Sequence, residues 1–263
     1  MNDMKNNMSL ELVNSWLEKL HAMSTQAKNT YIDIIIDQAG MQSPLIPALR
    51  TLGTDINWFS LFSGMPEDAF LNDSPLLIRF KWDNDVHVIL LTEILAHHYH
   101  SSRILVVISL LPFDTLARFL QALVEFNWEN QTGILRFYDP RIFPELIKHV
   151  LNVQEGRYFS QLAYMWSWID KDGEMSWLQG DFFTDIEEVD PPTLTIDSKQ
   201  LTKIGCISDA LQSMSLSEFE NPHLTREENF TLLYTLSLQA YESDFIGNTN
   251  DYILQHLPKL PTS

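Results

Sequence analysis

Apolar runs alternating with helix-periodic stretches divide the first 150 positions. Residues 31–37 (Tyr-Ile-Asp-Ile-Ile-Ile-Asp), 58–62, 76–82 and 103–110 are short, rich in β-branched or aromatic residues and bounded by turn formers, the signature of largely buried strands. Between them the period changes. Leu10, Val13, Trp16, Leu17 and Leu20 predict a helix over 9–22 with Ser9 as its N-cap, and further helical patterns cover 44–52 and 86–98. Pro112-Phe113-Asp114 opens another helix, in which Leu116, Phe119, Leu120, Leu123, Val124 and Phe126 fit a 3.6-residue period. Residues 134–138 then predict a strand that ends at Asp139-Pro140. An Asp cap followed by Pro at the first helical position starts a helix over 140–151. Strands alternating with helices predict an α/β fold, a mixed sheet flanked by helices on both faces with some parallel pairing.

After Asn152 the pattern shifts. An aromatic-rich segment over 158–169, the turn Asp170-Lys171-Asp172-Gly173 and a return strand over 174–178 predict a β-hairpin. Residues 181–194 are acidic and contain Pro191-Pro192, as an exposed connector would. Helical patterns follow at 197–214, 225–241 and 250–257, the second opened by a Thr225-to-Glu228 capping box. The expected organisation is an α/β lobe over 1–180, an acidic Pro-containing linker over 181–194 and an all-helical C-terminal lobe over 195–263.

Charge sharpens this division. The net charge is −18; residues 181–263 hold 4 basic and 14 acidic side chains, against 13 and 21 in residues 1–180. Such a field repels phosphate backbones, so a nucleic-acid partner is not expected, and a basic protein segment suits the C-terminal third. Solubility accounts for the same charge equally well. Cys206 is the one cysteine, which excludes an intrachain disulfide and suits a reducing compartment. The apolar runs fall far short of the roughly 20 residues that span a bilayer. A cytoplasmic protein without membrane contact is therefore expected.

Candidate chemistry is sparse. Glu93, His97, His98 and His100 lie close in sequence, but the adjacent histidines face different ways and a polar helix end explains them better than a metal site. Asp170 to Gly173 lacks the later ligands of a calcium loop and reads as turn chemistry. There is no Gly-x-Ser-x-Gly elbow and no phosphate-binding glycine loop, and Cys206 reads as a small buried hydrophobe. No catalytic residue, metal or cofactor is assigned. The alternative is a hydrolase using His97 and His100 or Arg136 and Asp139. Arg136, Asp139 and Arg141 are expected to form a charge-assisted cluster at a strand end, either as a self-satisfied structural corner or as a contact site. Trp166 and Trp168 share one face of the hairpin, in the core or on a recognition surface.

The six residues Arg136, Phe137, Tyr138, Asp139, Pro140 and Arg141 resemble the signature of the domain of unknown function 4123, a family of adaptors or chaperones for type VI secretion effectors. Residues 31–37 are similar to the family's opening strand, which ends in an aspartate. Leu61-Phe-Ser-Gly64 resembles its Leu-aromatic-x-Gly segment and Ser74-Pro-Leu-Leu77 its strand entry; residues 116–123, 154–160 and 166–173 are similar to the regions around the signature. The helix before the signature departs from the family, being less basic than its usual His-Leu-Arg-like end. The resemblance, over about residues 30–180, implies a bacterial, non-enzymatic protein that binds a secreted toxin in the producing cell. It also implies help in loading that toxin onto the valine-glycine repeat spike protein, with the signature and Trp166 and Trp168 as contact candidates.

Overall fold

The computed structural model describes residues 2–182, 190–243 and 245–258. The chain forms β1 (Tyr31–Asp37), β2 (Asn57–Ser60), β3 (Pro75–Lys81), β4 (Ile104–Ile108), β5 (Glu125–Trp128) and β6 (Gln131–Ile134). Then come β7 (Met165–Ile169), β8 (Met175–Gln179) and β9 (Leu194–Thr195). Six of these make the main sheet in the order β2-β3-β1-β4-β7-β8, and β6-β5-β9 make a small second one. The fold is mixed α/β, with helices at the C-terminus, as the pattern predicts.

The parallel pairing expected of the main sheet is absent among the described residues: every neighbouring pair there is antiparallel. The strand order supplies the reason. Strands β1 and β2 run in the same direction, as do β3 and β4, as in a crossover unit. However, β3 lies between the first pair and β1 between the second, so no parallel neighbours result. Parallel pairing occurs between β5 and β9, in the small sheet.

Strand alternation sorts the side chains onto two cores. Ile32, Ile34 and Ile36 of β1, with Leu76, Ile78 and Phe80 of β3 and Ile104, Val106 and Ile108 of β4, face one side. Helices α1 (Asn2–Gln26) and α3 (Asp85–His98) cover that side with Val13, Trp16, Leu20, Leu91, Ile94 and Leu95. Trp16 Nε1 donates to Ser167 Oγ at 3.0 Å, tying α1 to β7. The helix starts before Ser9, at Asn2. Between β1 and β2 the chain makes α2 (Ile46–Leu52).

The opposite side buries Ile35, Leu77, Leu105, Val107, Trp166 and Trp168. They pack with α4 (Phe113–Ala122), α6 (Val153–Ser160), which follows the short α5 (Phe143–Glu145), and the C-terminal helices α7 (Ser198–Ser213), α8 (Arg226–Glu242) and α9 (Thr249–His256). Cys206, Ile207, Phe230, Leu233 and Ile253 thus share one core with Phe137 and Phe143. The Thr225–Glu228 capping box is formed. Of the expected linker, residues 183–189 lie outside the described residues, and Leu194 pairs with Phe126 in the small sheet.

Several boundaries differ from expectation. Phe126 belongs to β5, not to the preceding helix. Residues 134–138 are not a strand: β6 ends at Ile134, opposite Glu125, and one more ladder bond, from Leu135 N–H to Val124 O at 2.7 Å, closes it. Beyond this point the partner chain is already inside or leaving α4, so no backbone edge remains to pair with. The chain turns instead, with Phe137 N–H to Leu135 O at 2.8 Å and Asp139 N–H to Arg136 O at 3.1 Å. The helix expected from 140 begins at Phe143 and passes into a π-helical turn, Leu146–Val150.

Candidate functional site

The turn places the signature residues differently from strand alternation. Leu135, Phe137, Tyr138 and Asp139 are all buried, whereas the Arg136 and Arg141 side chains are each 46% exposed. Phe137 meets Phe159 at 5.3 Å between ring centres, and Phe143 meets Trp166 at 4.9 Å, so the apolar half anchors the corner in the core. Trp166 is fully buried and Trp168 is 7% exposed, which makes both core residues beneath the corner rather than an aromatic contact surface. Trp166 Nε1 donates to Phe159 O at 3.3 Å, so its polar end is satisfied within the core.

The charged half is an ion cluster. Arg141 forms a fork on Asp139, with Nε to Oδ1 at 2.9 Å and Nη2 to Oδ2 at 2.7 Å, while its own backbone N–H donates to Oδ1 at 3.0 Å. Asp139 is not the helix cap expected of it: the N-cap is Ile142, without a side-chain cap bond, and the backbone N–H groups of Ile142 and Phe143 donate to the Asp139 carbonyl at 2.9 Å. Arg136 Nη2 lies 3.7 Å from Asp139 Oδ2 and donates to Asp37 Oδ2 at 2.8 Å. Asp37 is the last residue of β1, nearly a hundred positions earlier. Arg103 joins from the start of β4, its Nη1 donating to the carbonyls of Asp37 (3.0 Å) and Ala39 (2.7 Å). The cluster of Arg136, Asp139 and Arg141 is thus formed, with two members that spacing alone does not nominate. The terminal aspartate of the opening strand is a signal for Asp37; Arg103 has none.

Electrostatics follow from this packing. Burial opposes the Arg136 charge, but Asp37, Tyr138 and Asp139 outweigh it and hold the guanidinium above its ordinary value. The fork to Asp139 raises Arg141 likewise. Tyr138 is pushed well up by burial and by Asp37, so its phenol stays neutral.

Other stretches converge here too. Phe62 meets the Tyr138 ring edge-on at 6.2 Å, and Gln121 of α4 donates to Ser63 O, holding the turn at Gly64, whose φ of 75° favours glycine. Leu61 N–H donates to Pro75 O at 2.9 Å, and Gln38 Nε2 to Ser74 O at 3.2 Å. Clefts of about 510 and 530 Å³ lie elsewhere, lined by residues between Met214 and Asn229 and by Gln154, Arg157, Ser160, Gln161 and Asp181. The corner is therefore a charged surface on a rigid base.

The remaining candidates sit apart. His97 and His100 are exposed and His98 is buried at the end of α3; among the described residues no three His, Cys, Asp or Glu side chains are placed to hold a metal ion. Asp170 turns the hairpin by accepting from the Asp172 and Glu174 N–H groups and from Ser176 Oγ. Cys206 is buried, which pushes its thiol up to about 11. Among the described residues no helix is long and apolar enough to cross a membrane.

Comparison with known proteins adds one finding. Residues 34–156 match the family described as Domain of unknown function (DUF4123), a span that includes Asp37, Phe62, Pro75, Arg103 and the whole of the signature. No curated protein and no solved structure matches the chain. Over residues 34–156, then, the chain is similar to the family of the domain of unknown function 4123.

Proposed function

We propose that this protein is a non-enzymatic adaptor, or chaperone, that binds a type VI secretion effector in the cytoplasm and helps load it onto the valine-glycine repeat spike protein. The observation that carries this reading is the family match over residues 34–156 with the Arg136-to-Arg141 signature inside it. The geometry is compatible with a binding role. A contact surface works best when its polar groups are held in place before the partner arrives, because ordering them then costs little. Asp139, 1% exposed, fixes two guanidiniums that remain half open to solvent. The C-terminal helices, with their excess of carboxylates, supply a surface of opposite sign for a basic effector segment.

The test is co-expression of the tagged protein with the products of the genes flanking its own. A stable complex with the non-catalytic region of a toxin, able to associate with a spike protein, is the expected result. Failure to bind either product removes the adaptor reading.

A further inference from the structure

We infer that the open face of the Arg136–Arg141 corner is a carboxylate-recognition site for a protein partner. The inference takes the partner's existence from the adaptor reading and the chemistry of contact from the geometry. The guanidiniums of Arg136 and Arg141 meet two side-chain carboxylates, of Asp37 and Asp139, and Arg103 donates to the backbone carbonyl of Asp37 beside them. The Asp73 carboxylate also reaches this loop, where it accepts from Gly40 N–H at 3.1 Å. Half-exposed guanidiniums gathered at one point on a chain of net charge −18 are not what solubility requires.

The donors are also incompletely used. A guanidinium carries five N–H groups in a planar fork and no acceptor. Among the described residues, Arg141 engages Nε and Nη2 with Asp139, while Arg136 engages Nη2 with Asp37 and also meets the Tyr138 phenol, so neither fork is filled by carboxylates. Both side chains approach the same oxygen, Asp139 Oδ2, and both are 46% exposed, so their free edges lie close together at the surface. The planar fork matches a carboxylate by two parallel hydrogen bonds. A polyanion such as nucleic acid meets the repulsion of the whole chain at every phosphate, whereas a single acidic side chain or a C-terminal carboxylate meets it only once.

The arginine Nε–Hε resonances of the full chain, assigned through Arg136→Lys and Arg141→Lys, report on this directly. The probes are acetyl-Gly-Glu-Gly-Glu-amide, acetyl-Gly-Gln-Gly-Gln with a free C-terminus, acetyl-Gly-Gln-Gly-Gln-amide and inorganic phosphate. Saturable shifts of the Arg136 and Arg141 signals with a carboxylate peptide, and not with the neutral one, are expected; the tighter of the two carboxylate peptides identifies a side-chain or a terminal source. Arg141→Gln should weaken that binding about tenfold, while Arg141→Lys keeps the fold and the charge and loses only the planar fork. Signals that stay still, or that move equally with the neutral peptide or with phosphate, overturn the proposal. The outcomes separate from those above. Carboxylate binding without a toxin complex removes the adaptor reading and keeps the site. A toxin complex indifferent to an Arg136→Gln, Arg141→Gln double variant removes the site and keeps the adaptor.

Discussion

Two arginine–aspartate clusters hang from the same face of β1, and they differ in what surrounds the cation. Asp33 and Asp37 alternate with Ile35 toward the α4 side of the sheet. Asp33, fully buried, takes a bidentate fork from Arg79, with Nε to Oδ1 at 2.7 Å and Nη2 to Oδ2 at 2.8 Å, and the Arg79 side chain is only 8% exposed. Arg79 is further occupied by Leu111 O at 3.0 Å and by the Tyr31 ring, whose centre lies 3.6 Å from its Cζ. Burial opposes the Arg79 charge and Asp33 restores it, holding the guanidinium above its ordinary value. At Asp37 and Asp139 the carboxylates are also buried, yet the guanidiniums facing them are half in solvent. A sealed pair of this kind joins strands and has nothing left to offer a partner. An open one fixes its cations from below and presents them above, which is why the proposed contact is placed at the corner and not at the more deeply buried pair.

The contrast makes graded predictions. Arg79→Ala strands a carboxylate in the core and should cost about 3–5 kcal/mol in urea unfolding. An Arg79→Met, Asp33→Leu variant should recover most of that loss, since packed apolar groups replace a buried ion pair at nearly neutral cost. A double variant as unstable as the single one would mean that the pair is more than a strand joint.

At the far end of α3, on the opposite face of the sheet from both clusters, buried His98 gives stability a pH dependence. Burial, then His97 and Arg103, lower its pKa from 6.5 to about 4. The unfolded chain takes up this proton near pH 6.5 and the folded chain only near 4, so the stabilisation is complete above that window and is lost as pH falls through it. The loss should be about 3 kcal/mol, and His98→Gln should flatten the stability–pH curve between those values; an unchanged curve would place the titration elsewhere.

Arg136→Ala should cost less than the sealed variant, about 1–2 kcal/mol, because Asp139 keeps its Arg141 fork and Asp37 keeps the Ala39 N–H at 3.0 Å. Equal losses for Arg79→Ala and Arg136→Ala in thermal or urea unfolding would erase the distinction between the clusters.

The smallest effect concerns the link to the C-terminal helices. Asp172 of the hairpin turn accepts from the Arg226 N–H at 2.6 Å, and Lys171 pairs with Glu145 at 2.7 Å and Glu227 at 3.1 Å. Thr225→Ala should therefore cost only about 1 kcal/mol, as loss of an ordinary cap does, since Asp172 still holds the first turn. A much larger drop in melting temperature would show that the cap is carrying the hairpin contact as well.

Elements whose pattern is settled by their own residues were legible in the sequence. The seven residues of β1, the helix α3 and the capping box at Thr225 are as predicted, because alternation, helical period and local hydrogen bonding act over a few positions. Similarity to a family, too, was readable from Arg136 to Arg141 and the stretches around it. Three things were decided by tertiary structure. The antiparallel sheet depends on which strand is inserted between two crossover partners, a long-range choice that no local period records. The end of β6 at Ile134 depends on where its partner β5 begins, so apolar residues fit for a strand turn into the core instead. And the open ion cluster depends on β1 delivering Asp37 beneath Arg136, where a buried carboxylate fixes a cation that the surrounding chain leaves exposed.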